Sequence, residues 1–248
     1  MSAVSKGFRI IDAVTAAGGG GLPFAGIVAA TALPKASAHR LLRELVDLSV
    51  LTHDPQTRHY RGGLLLARIG ASVTANYHLR DAVRPYLQLL HDELGHVATL
   101  GILNDVSGTY IDKIEAGGFG PRLHSEVGKS FPLHCTAIGK VLLSYSDAAS
   151  VRRVTSRKLE SFTPKTITDA KQLRKELKQI ATHGYAIDNE EITRGFVCIA
   201  APVFGVDGNV AGAMSCTLPS YIRQERGLQA EIDSVCRLAS QASAGALQ

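Results

Sequence analysis

Apolar residues at helical spacing divide the first third of the chain into three short segments. The first runs from Val4 to Ala17 and stops at four consecutive glycines, a composition that resists helix continuation. The second begins near Pro23 and reaches about Ala30. The third opens at Pro34, because proline suits the first turn of a helix, where its missing N–H costs nothing. The pattern therefore predicts three short helices.

The third predicted helix is amphipathic, and a tight turn at 31–33 separates it from the second. Its apolar positions share one face and are Ala38, Leu41, Leu42, Leu45, Val46 and Leu48. The opposite face carries Ala36, His39, Arg40 and Arg43. Three helices with this spacing are the plan of a helix-turn-helix, whose last helix enters the major groove of DNA.

Two β-tolerant segments follow, at 50–53 and 58–63, and the turn-forming pair Asp54-Pro55 lies between them. They predict a strand, a turn and a second strand, which together form a wing beside the helix-turn-helix. The residues expected to contact DNA lie on the first turns of the third helix and on the wing: Lys35, Ala36, Ser37, His39, Arg40, Arg43, Arg58, His59 and Arg61. For His39, a merely solvated helix position is the alternative.

The remaining two thirds alternate helices and strands. Helices are predicted at 64–77, 78–94 (with Pro85 inside), 137–146, 148–153, 169–183 and 221–244. Strands are predicted at 97–103, 109–115, 121–126, 196–204 and 210–218, the last two joined by a turn at 206–209. This order indicates an α+β domain with an antiparallel sheet. The expected domains are a winged helix-turn-helix at 1–63, a linker helix at 64–77 and a second domain at 78–248.

The excess positive charge of the chain is concentrated in its first part. The whole chain has 248 residues, of which 45% are hydrophobic and 20% charged, with a net charge of +5. The first 76 residues contain eight Lys and Arg against four Asp and Glu, so most of the excess positive charge lies there. That distribution is typical of a nucleic-acid-binding module joined to a neutral domain. A basic solvated surface without a partner is the alternative.

Targeting signals and cysteine chemistry add little. No signal peptide or membrane-spanning run is evident, so a cytoplasmic location without membrane contact is expected. The four cysteines lack the close pairs of a structural zinc site, and they are expected to be reduced; zinc bound with His134 nearby is the less favoured alternative. No cofactor is predicted.

Several long motifs resemble the isocitrate lyase regulator (IclR) family of bacterial transcription factors, almost from end to end. They are VSKGFRII at 4–11, LPK and HRLL within 33–42, GKSFPLHCTAIGK at 128–140, GYAIDNEE at 184–191 and GFVCIAAPVF at 195–204. The resemblance implies a winged helix-turn-helix joined by a helix to a GAF-like effector-binding domain. It also implies a homodimer or homotetramer that binds double-stranded operator DNA under the control of a small carboxylic or aromatic metabolite, and it favours a repressor.

The resemblance further implies an effector pocket. Mapped onto this sequence, its lining residues are Gly128, Leu133, Thr136, Ala137, Ile138, Asp188, Cys198, Ser215 and Thr217. Free N–H groups at the start of the helix after Thr136 suit an anion, whereas Asp188 suits a hydroxyl, amide or amine donor. The alternatives are a helix cap at Thr136, core packing at Cys198 and ordinary strand hydroxyls at Ser215 and Thr217.

Two departures from the family and two rival functions remain. One rival is a DNA-binding architectural protein without a ligand, which the size of the second domain disfavours, and the other is an enzyme. The family commonly has Ser-Thr-Val where this chain has Ala36-Ser37-Ala38, and the second helix lacks the usual Ser-Leu-Ser-Glu-Leu-Ala character. A metabolite-processing enzyme with a fused DNA-binding domain would draw on His134, Cys135 and the pair Glu190-Glu191. The absence of a phosphate-binding loop or serine elbow favours a regulator that is not an enzyme.

Overall fold

The computed structural model describes residues 2–74, 78–115 and 125–245. The chain divides into two compact units, Met1–Asn76 and Tyr77–Gln248. The α+β class predicted from the sequence is confirmed, since the first unit is a winged helix-turn-helix and the second is an antiparallel sheet with helices on both faces.

The described residues of the first unit form four α-helices, a short 3₁₀ helix at Gly18–Gly20 and a small three-stranded sheet. The helices are α1 (Ala3–Ala16), α2 (Phe24–Thr31), α3 (Lys35–Asp47) and α4 (Leu64–Thr74). The strands are β1 (Leu22–Pro23), β2 (Leu51–His53) and β3 (His59–Gly62), in the antiparallel order β1-β3-β2. Ile10, Val14, Ile27, Leu42 and Leu51 are fully or almost fully buried at the centre of this unit.

The tight turn predicted between the second and third helices is present. Ala32 adopts a left-handed conformation with φ of 50°, and its N–H donates to the carbonyl of Val28. Pro23 and Pro34 are the cap residues of α2 and α3, so each helix begins one residue after its proline. Leu48, predicted on the buried face, is 63% exposed. That expectation was wrong because α3 ends at Asp47 and Leu48 lies beyond its last turn.

The second unit is built on a six-stranded antiparallel sheet with the order β6-β5-β4-β9-β8-β7. Its strands are β4 (Val97–Asn104), β5 (Ser107–Ile114), β6 (Ser130–Pro132), β7 (Ala186–Asn189), β8 (Phe196–Phe204) and β9 (Val210–Pro219). Its helices are α5 (His78–Leu94), α6 (Ala137–Ser144), α7 (Ala148–Thr155), α8 (Ala170–His183), α9 (Ser220–Arg226) and α10 (Gln229–Gly245). The helix α5 continues through Pro85.

Alternate residues of the strands face two separate cores. On β9, Met214, Cys216 and Leu218 point to the core under α5 and α10, whereas Ala213 points to the core under α6 and α8. Ser215 and Thr217 share the phase of Ala213 and are also buried. The two hydroxyls that the sequence places two residues apart therefore lie on the α6 side of the sheet.

The predicted helices and strands differ from the structure in several places. The predicted C-terminal helix at 221–244 is two helices, because the chain breaks at Gly227, where φ is 77°. The strands β1, β6 and β7 were not predicted; each has two to four residues, too few to show a periodic pattern. Most of the strand expected at 121–126 lies outside the described residues, and 125–126 are not in a strand.

Within the ranges described, no helix has the length and apolarity to cross a membrane.

Candidate DNA interface and ligand cavity

The exposed face of α3 carries the cationic side chains predicted to contact DNA. Lys35, Ala36, His39, Arg40 and Arg43 are exposed, and the apolar side of the helix is buried. Arg40 lies 3.9 Å from Glu44, but both side chains are more than half exposed, so this ion pair is weak. Lys35 and Arg43 have no ion-pair partner among the described residues.

Two further residues of this helix, Ser37 and His39, are not surrounded by solvent alone. Ser37 is half-buried. The ring of His39 packs edge-on against Phe24 at the start of α2, with 6.0 Å between ring centroids. His39 is therefore an exposed side chain whose orientation is fixed by a neighbouring helix rather than a freely solvated one.

The wing turn is organised by Asp54. Its carboxylate accepts hydrogen bonds from the backbone N–H groups of Gln56 and Thr57, and these bonds lower the pKa of Asp54. The same carboxylate lies 3.6 Å from the guanidinium of Arg61. Arg58, at the tip, is exposed with a left-handed φ of 57°. Its guanidinium has no partner among the described residues.

His59 and Arg61 hold the wing in place. The Nδ1 atom of His59 lies 2.9 Å from the carbonyl of Gly20, and Arg61 is paired with Asp54. A side chain at Gly21 would clash with Tyr60 and Arg61, because its Cβ would lie 2.2 Å from the Tyr60 carbonyl oxygen. Of the three wing residues predicted to contact DNA, Arg58 is the one whose side chain forms no hydrogen bond or ion pair with any described residue.

A cavity of about 310 Å³ opens in the second unit on the α6 side of the sheet. The wall of the cavity combines aromatic, hydroxyl and charged side chains. The residues that line it are Tyr110, Ser125, Lys129, Ser130, Phe131, Pro132, Thr136, Phe162, Asp188, Ile192, Thr193, Phe196, Cys198 and Thr217. The volume lies at the lower end of the range for small-molecule sites. A largely apolar wall with a few polar groups is typical of such sites.

Four of the nine residues that the family resemblance assigned to the pocket line this cavity: Thr136, Asp188, Cys198 and Thr217. The other five, which are Gly128, Leu133, Ala137, Ile138 and Ser215, do not. Leu133, Ala137 and Ile138 are buried in the core beneath α6. The hydroxyl of Ser215 is hydrogen-bonded to that of Thr99, 2.8 Å away on the paired strand, so it links β4 to β9.

Two glycines make room for an aromatic wall. A Cβ at Gly108 would lie 2.0 Å from the ring of Phe131, and one at Gly101 would lie 2.9 Å from it. The absence of both side chains lets Phe131 lie against the sheet, where it contacts Tyr110 with 4.4 Å between ring centroids. The two rings are therefore positioned by the strands β4 and β5 together.

The segment that leads into α6 is fixed by Thr136. Its hydroxyl donates to the carbonyl of Pro132 and accepts from the N–H of Gly139, so Thr136 is the N-cap of α6. A side chain at Gly139 would collide with Leu133 and with this hydroxyl. Because both functions of the Thr136 hydroxyl are used, it is not a free donor toward the cavity.

Two polar groups in the cavity wall are without partners in the described part of the chain. The hydroxyl of Ser125 is buried and makes no hydrogen bond there. The ammonium of Lys129 forms no ion pair with any described residue, although its backbone carbonyl accepts from the N–H of Tyr110. A buried polar group left unsatisfied is costly, so the Ser125 hydroxyl points to recognition of a polar ligand or an ordered water.

Asp188 is the buried acid of the cavity. It is 1% exposed, and burial raises its pKa to about 7 against the opposing effect of the Glu191 N–H, which donates to its carboxylate at 2.6 Å. Burial also raises the pKa values of Tyr110, Cys135 and Cys198, so these three groups remain protonated. The thiol of Cys198 lies 3.1 Å from the hydroxyl of Thr217.

The residues that an enzymatic function would require are engaged elsewhere. The Nε2 atom of His134 lies 2.8 Å from the carbonyl of Glu160, and burial lowers the pKa of its imidazole. Cys135 is buried and remains a thiol. Glu190 pairs with Lys165, and Glu191 pairs with Lys140. In the described part of the chain, no three His, Cys, Asp or Glu side chains are grouped to hold a metal ion.

A winged helix-turn-helix followed by a domain with a ligand-sized cavity is the organisation of a ligand-responsive transcription regulator. The model of the IclR helix-turn-helix domain matches residues 3–55, and the model of the bacterial transcriptional regulator IclR C-terminal domain matches residues 71–244. The chain belongs to the IclR family of bacterial transcription regulators, whose N-terminal DNA-binding domain is a helix-turn-helix.

Individual relatives agree with this assignment. The HTH-type transcriptional regulator BhcR of Paracoccus denitrificans is 31% identical over 99% of this chain and 87% of its own length. The crystal structure of an IclR regulator from Alicyclobacillus acidocaldarius has a TM-score of 0.83 at 26% identity, with 98% of each chain covered. An IclR homologue from Microbacterium hydrocarbonoxydans, crystallised with 4-hydroxybenzoate, has a TM-score of 0.82 at 20% identity, with 99% of each chain covered.

The aromatic part of the cavity was missed from the sequence. Tyr110 and Phe131 were assigned to a strand and to a motif, without a role in ligand contact, and Phe162 lay in a segment without periodic pattern. One signal was available: Gly101 lies inside one predicted strand and Gly108 directly before the next, and glycine in a strand indicates close approach of another group to the sheet. Phe131 is that group.

Proposed function

We propose that this protein is a repressor that binds operator DNA as a homodimer or homotetramer and that a small organic acid in the cavity controls its DNA affinity. The observation that carries the proposal is the pairing of an exposed cationic helix in one unit with an aromatic, partly unsatisfied cavity in the other. Its relatives are named transcriptional regulators, and we propose no catalytic activity, no cofactor and a cytoplasmic site of action.

On the DNA side, Lys35, Arg40 and Arg43 supply the cations of the recognition helix, and Arg58 supplies that of the wing. A guanidinium bonds two acceptors at once, which suits guanine edges and phosphates. Ala36, Ser37 and His39 complete the surface offered to the bases. We assign His59 and Arg61 a supporting role, since each is held by an internal contact.

On the ligand side, the apolar part of the acid packs against Tyr110, Phe131 and their neighbours. Its carboxylate lies toward Lys129 and Ser125, whose polar groups lack partners within the described residues. A protonated Asp188 donates a hydrogen bond to a ligand oxygen, whereas an ionised Asp188 repels a carboxylate. The related protein crystallised with 4-hydroxybenzoate makes that aromatic acid the first compound to test.

Self-association is supported by the surface of α1. Val4 and Phe8, one helical turn apart, are 68% and 67% exposed. Two large apolar side chains at this spacing form an exposed patch that a second copy would cover. In a dimer, two recognition helices reach half-sites of a palindromic operator.

The test uses DNA that the full-length protein selects from a random duplex library. Binding of that DNA is followed by fluorescence anisotropy while 4-hydroxybenzoate and a panel of aliphatic and aromatic acids are added. The proposal expects salt-sensitive DNA binding that at least one acid weakens. Selection of no preferred sequence, or consumption of an acid with formation of product, would contradict it.

A further inference from the structure

Lys140 is a fully buried lysine next to the cavity, on α6. Its ammonium donates to the backbone carbonyl of Ile187 at 2.7 Å and to the carboxylate of Glu191 at 2.5 Å. It also contacts the carboxylate of Glu176 on α8. A buried charge persists only where it is paired and hydrogen-bonded, and here all three donors of the ammonium have acceptors.

Two of the three partners of Lys140, Ile187 and Glu191, lie at the two ends of one short segment that contains Asp188. Ile187 is in β7, and Glu191 is four residues later, with Asp188 between them. The N–H of Glu191 donates to the Asp188 carboxylate at 2.6 Å, which closes the segment into a turn. The ammonium therefore fixes both sides of the residue that presents its carboxyl to the cavity.

The same turn is also held by the segment 163–166, and it contains a strained residue. Glu190 has a left-handed φ of 62°, a conformation that side chains other than glycine adopt only where the surroundings impose it. The hydroxyl of Thr163 donates to the carbonyl of Glu190, and that of Thr166 donates to the carbonyl of Glu191. The conformation of residues 187–191 is thus imposed by α6 and by the segment 163–166 together.

We propose that Lys140 is a positioning residue of the cavity, whose ammonium clamps residues 187–191 so that the Asp188 carboxyl meets the ligand in one geometry. The proposal rests on the proposed function of the cavity as the effector site. Lys140 itself does not line the cavity; its effect passes through Ile187 and Glu191.

The pKa of Asp188 can report on the arrangement of the charged groups around it. Besides burial, the groups that act on Asp188 are the carboxylate and N–H of Glu191, the N–H of Ile192 and the ammonium of Lys140 on α6. Three titratable groups are also close to it: Tyr110 on β5, Cys198 on β8 and Cys135 before α6. The last three remain neutral, so the charges near Asp188 are the carboxylate of Glu191, which raises its pKa, and the ammonium of Lys140, which lowers it. Glu176 contacts the same ammonium from α8 and is not part of the turn that contains Asp188.

Glu176 offers a matched control for Glu191. Glu191→Gln and Glu176→Gln each remove one carboxylate charge from the same ammonium, with no change of shape. Only Glu191 belongs to the turn that holds Asp188. Lys140→Met would leave two carboxylates without their cation, so loss of folding would hide its effect on the cavity. The test therefore changes the carboxylates.

The experiment titrates the Asp188 carboxyl by ¹³C NMR in the ligand-free full chain, with Asp188→Asn to assign the signal. Glu191→Gln is expected to lower the titration midpoint of Asp188 by about one pH unit, a roughly tenfold loss of proton affinity. It is also expected to speed hydrogen exchange of the backbone amides within 186–195. Glu176→Gln is expected to leave both readouts unchanged.

Equal effects of the two variants would show general destabilisation and overturn the proposal. An unchanged Asp188 titration and unchanged exchange in Glu191→Gln would overturn it as well. Because no ligand is added, the result is independent of the proposed function. If the clamp is found but no acid alters DNA binding, only the proposed function fails.

Discussion

Asp188 shows how one buried side chain makes the second unit sensitive to pH. Its carboxyl is 1% exposed and its pKa is about 7, against an ordinary value of 3.8. Between these two values the folded protein binds more protons at this site than the unfolded chain does. The stabilising contribution is therefore complete below about pH 4 and is lost as the pH rises to about 7.

Asp188→Asn should remove this dependence, because an amide of the same shape does not ionise. Relative to the variant, the unmodified protein should lose about 3 kcal/mol of unfolding free energy between about pH 5 and about pH 8. Urea unfolding of both proteins at the two pH values measures the difference. Parallel stabilities at both would show that Asp188 titrates at its ordinary pKa.

Arg43 is the corresponding single residue on the DNA side. It is exposed on α3, and no described residue pairs with it. Arg43→Ala should weaken DNA binding by roughly 1–3 kcal/mol, because a guanidinium contact to a base or phosphate is lost. Fluorescence anisotropy measures the affinity. Affinity for a cavity ligand, followed by calorimetry, should be unchanged.

Arg152→Ala is the matched control for Arg43→Ala, since Arg152 is an exposed arginine on α7 of the other unit. It removes the same charge from the protein but none from the recognition helix. If both variants weakened DNA binding equally, the effect would come from net charge and the assignment of α3 would fail.

At the scale of elements, the cavity depends on strands that carry glycine where an aromatic ring must fit. Gly108 on β5 and Gly101 on β4 lie beneath Phe131. Neither strand forms the aromatic wall alone. The wall exists because β6 pairs with β5 and carries Phe131 over both glycines.

Gly108→Ala should displace the Phe131 ring, because the new methyl group would lie within 2.0 Å of it. We expect a loss of about 1–3 kcal/mol in stability together with weaker ligand binding. Gly26→Ala is the control: this glycine lies in α2, where a Cβ would make ordinary contacts of 3.4 Å or more. Thermal unfolding and calorimetry compare the two variants, and an unaffected Gly108→Ala would refute the role of the glycine.

The elements that the sequence predicts well are those with several turns or strand repeats. The amphipathic pattern of α3 and α8 and the long strands β8 and β9 leave little choice of structure. Short strands such as β7 depend on a neighbouring strand for their hydrogen bonds, so their own residues do not identify them. The helix break at Gly227 needs the backbone conformation of that residue.

The residues of the cavity could be predicted from the sequence only in part. Asp188, Cys198 and Thr217 lie in segments that resemble a known family, and they do line it. Ser215 has the right strand phase, but its hydroxyl is taken by Thr99, 116 residues away in sequence. Phe162 and Ile192 come to the wall through loops whose positions depend on distant hydrogen bonds. Local sequence does not contain that information.

At the scale of the whole molecule, the apolar surface of α1 makes the oligomer a testable property. Phe8→Glu places a charge within the patch formed with Val4, so it should lower the molar mass in solution and weaken binding to two half-sites more than to one. Light scattering after size-exclusion chromatography measures the mass. A variant that keeps the mass of the unmodified protein would place the interface elsewhere.

The central claim is that the two units are coupled: occupancy of the cavity changes the affinity for DNA. Coupling between two sites in one protein is typically about 1–3 kcal/mol, which is roughly a 5- to 150-fold change in affinity. The measurement is the anisotropy of the selected DNA duplex, titrated with protein in the absence and presence of a saturating acid that calorimetry shows to bind. We predict a decrease in DNA affinity within that range, with Asp188→Asn changing the acid concentration required. A DNA affinity that is the same with the cavity empty and filled would contradict the account.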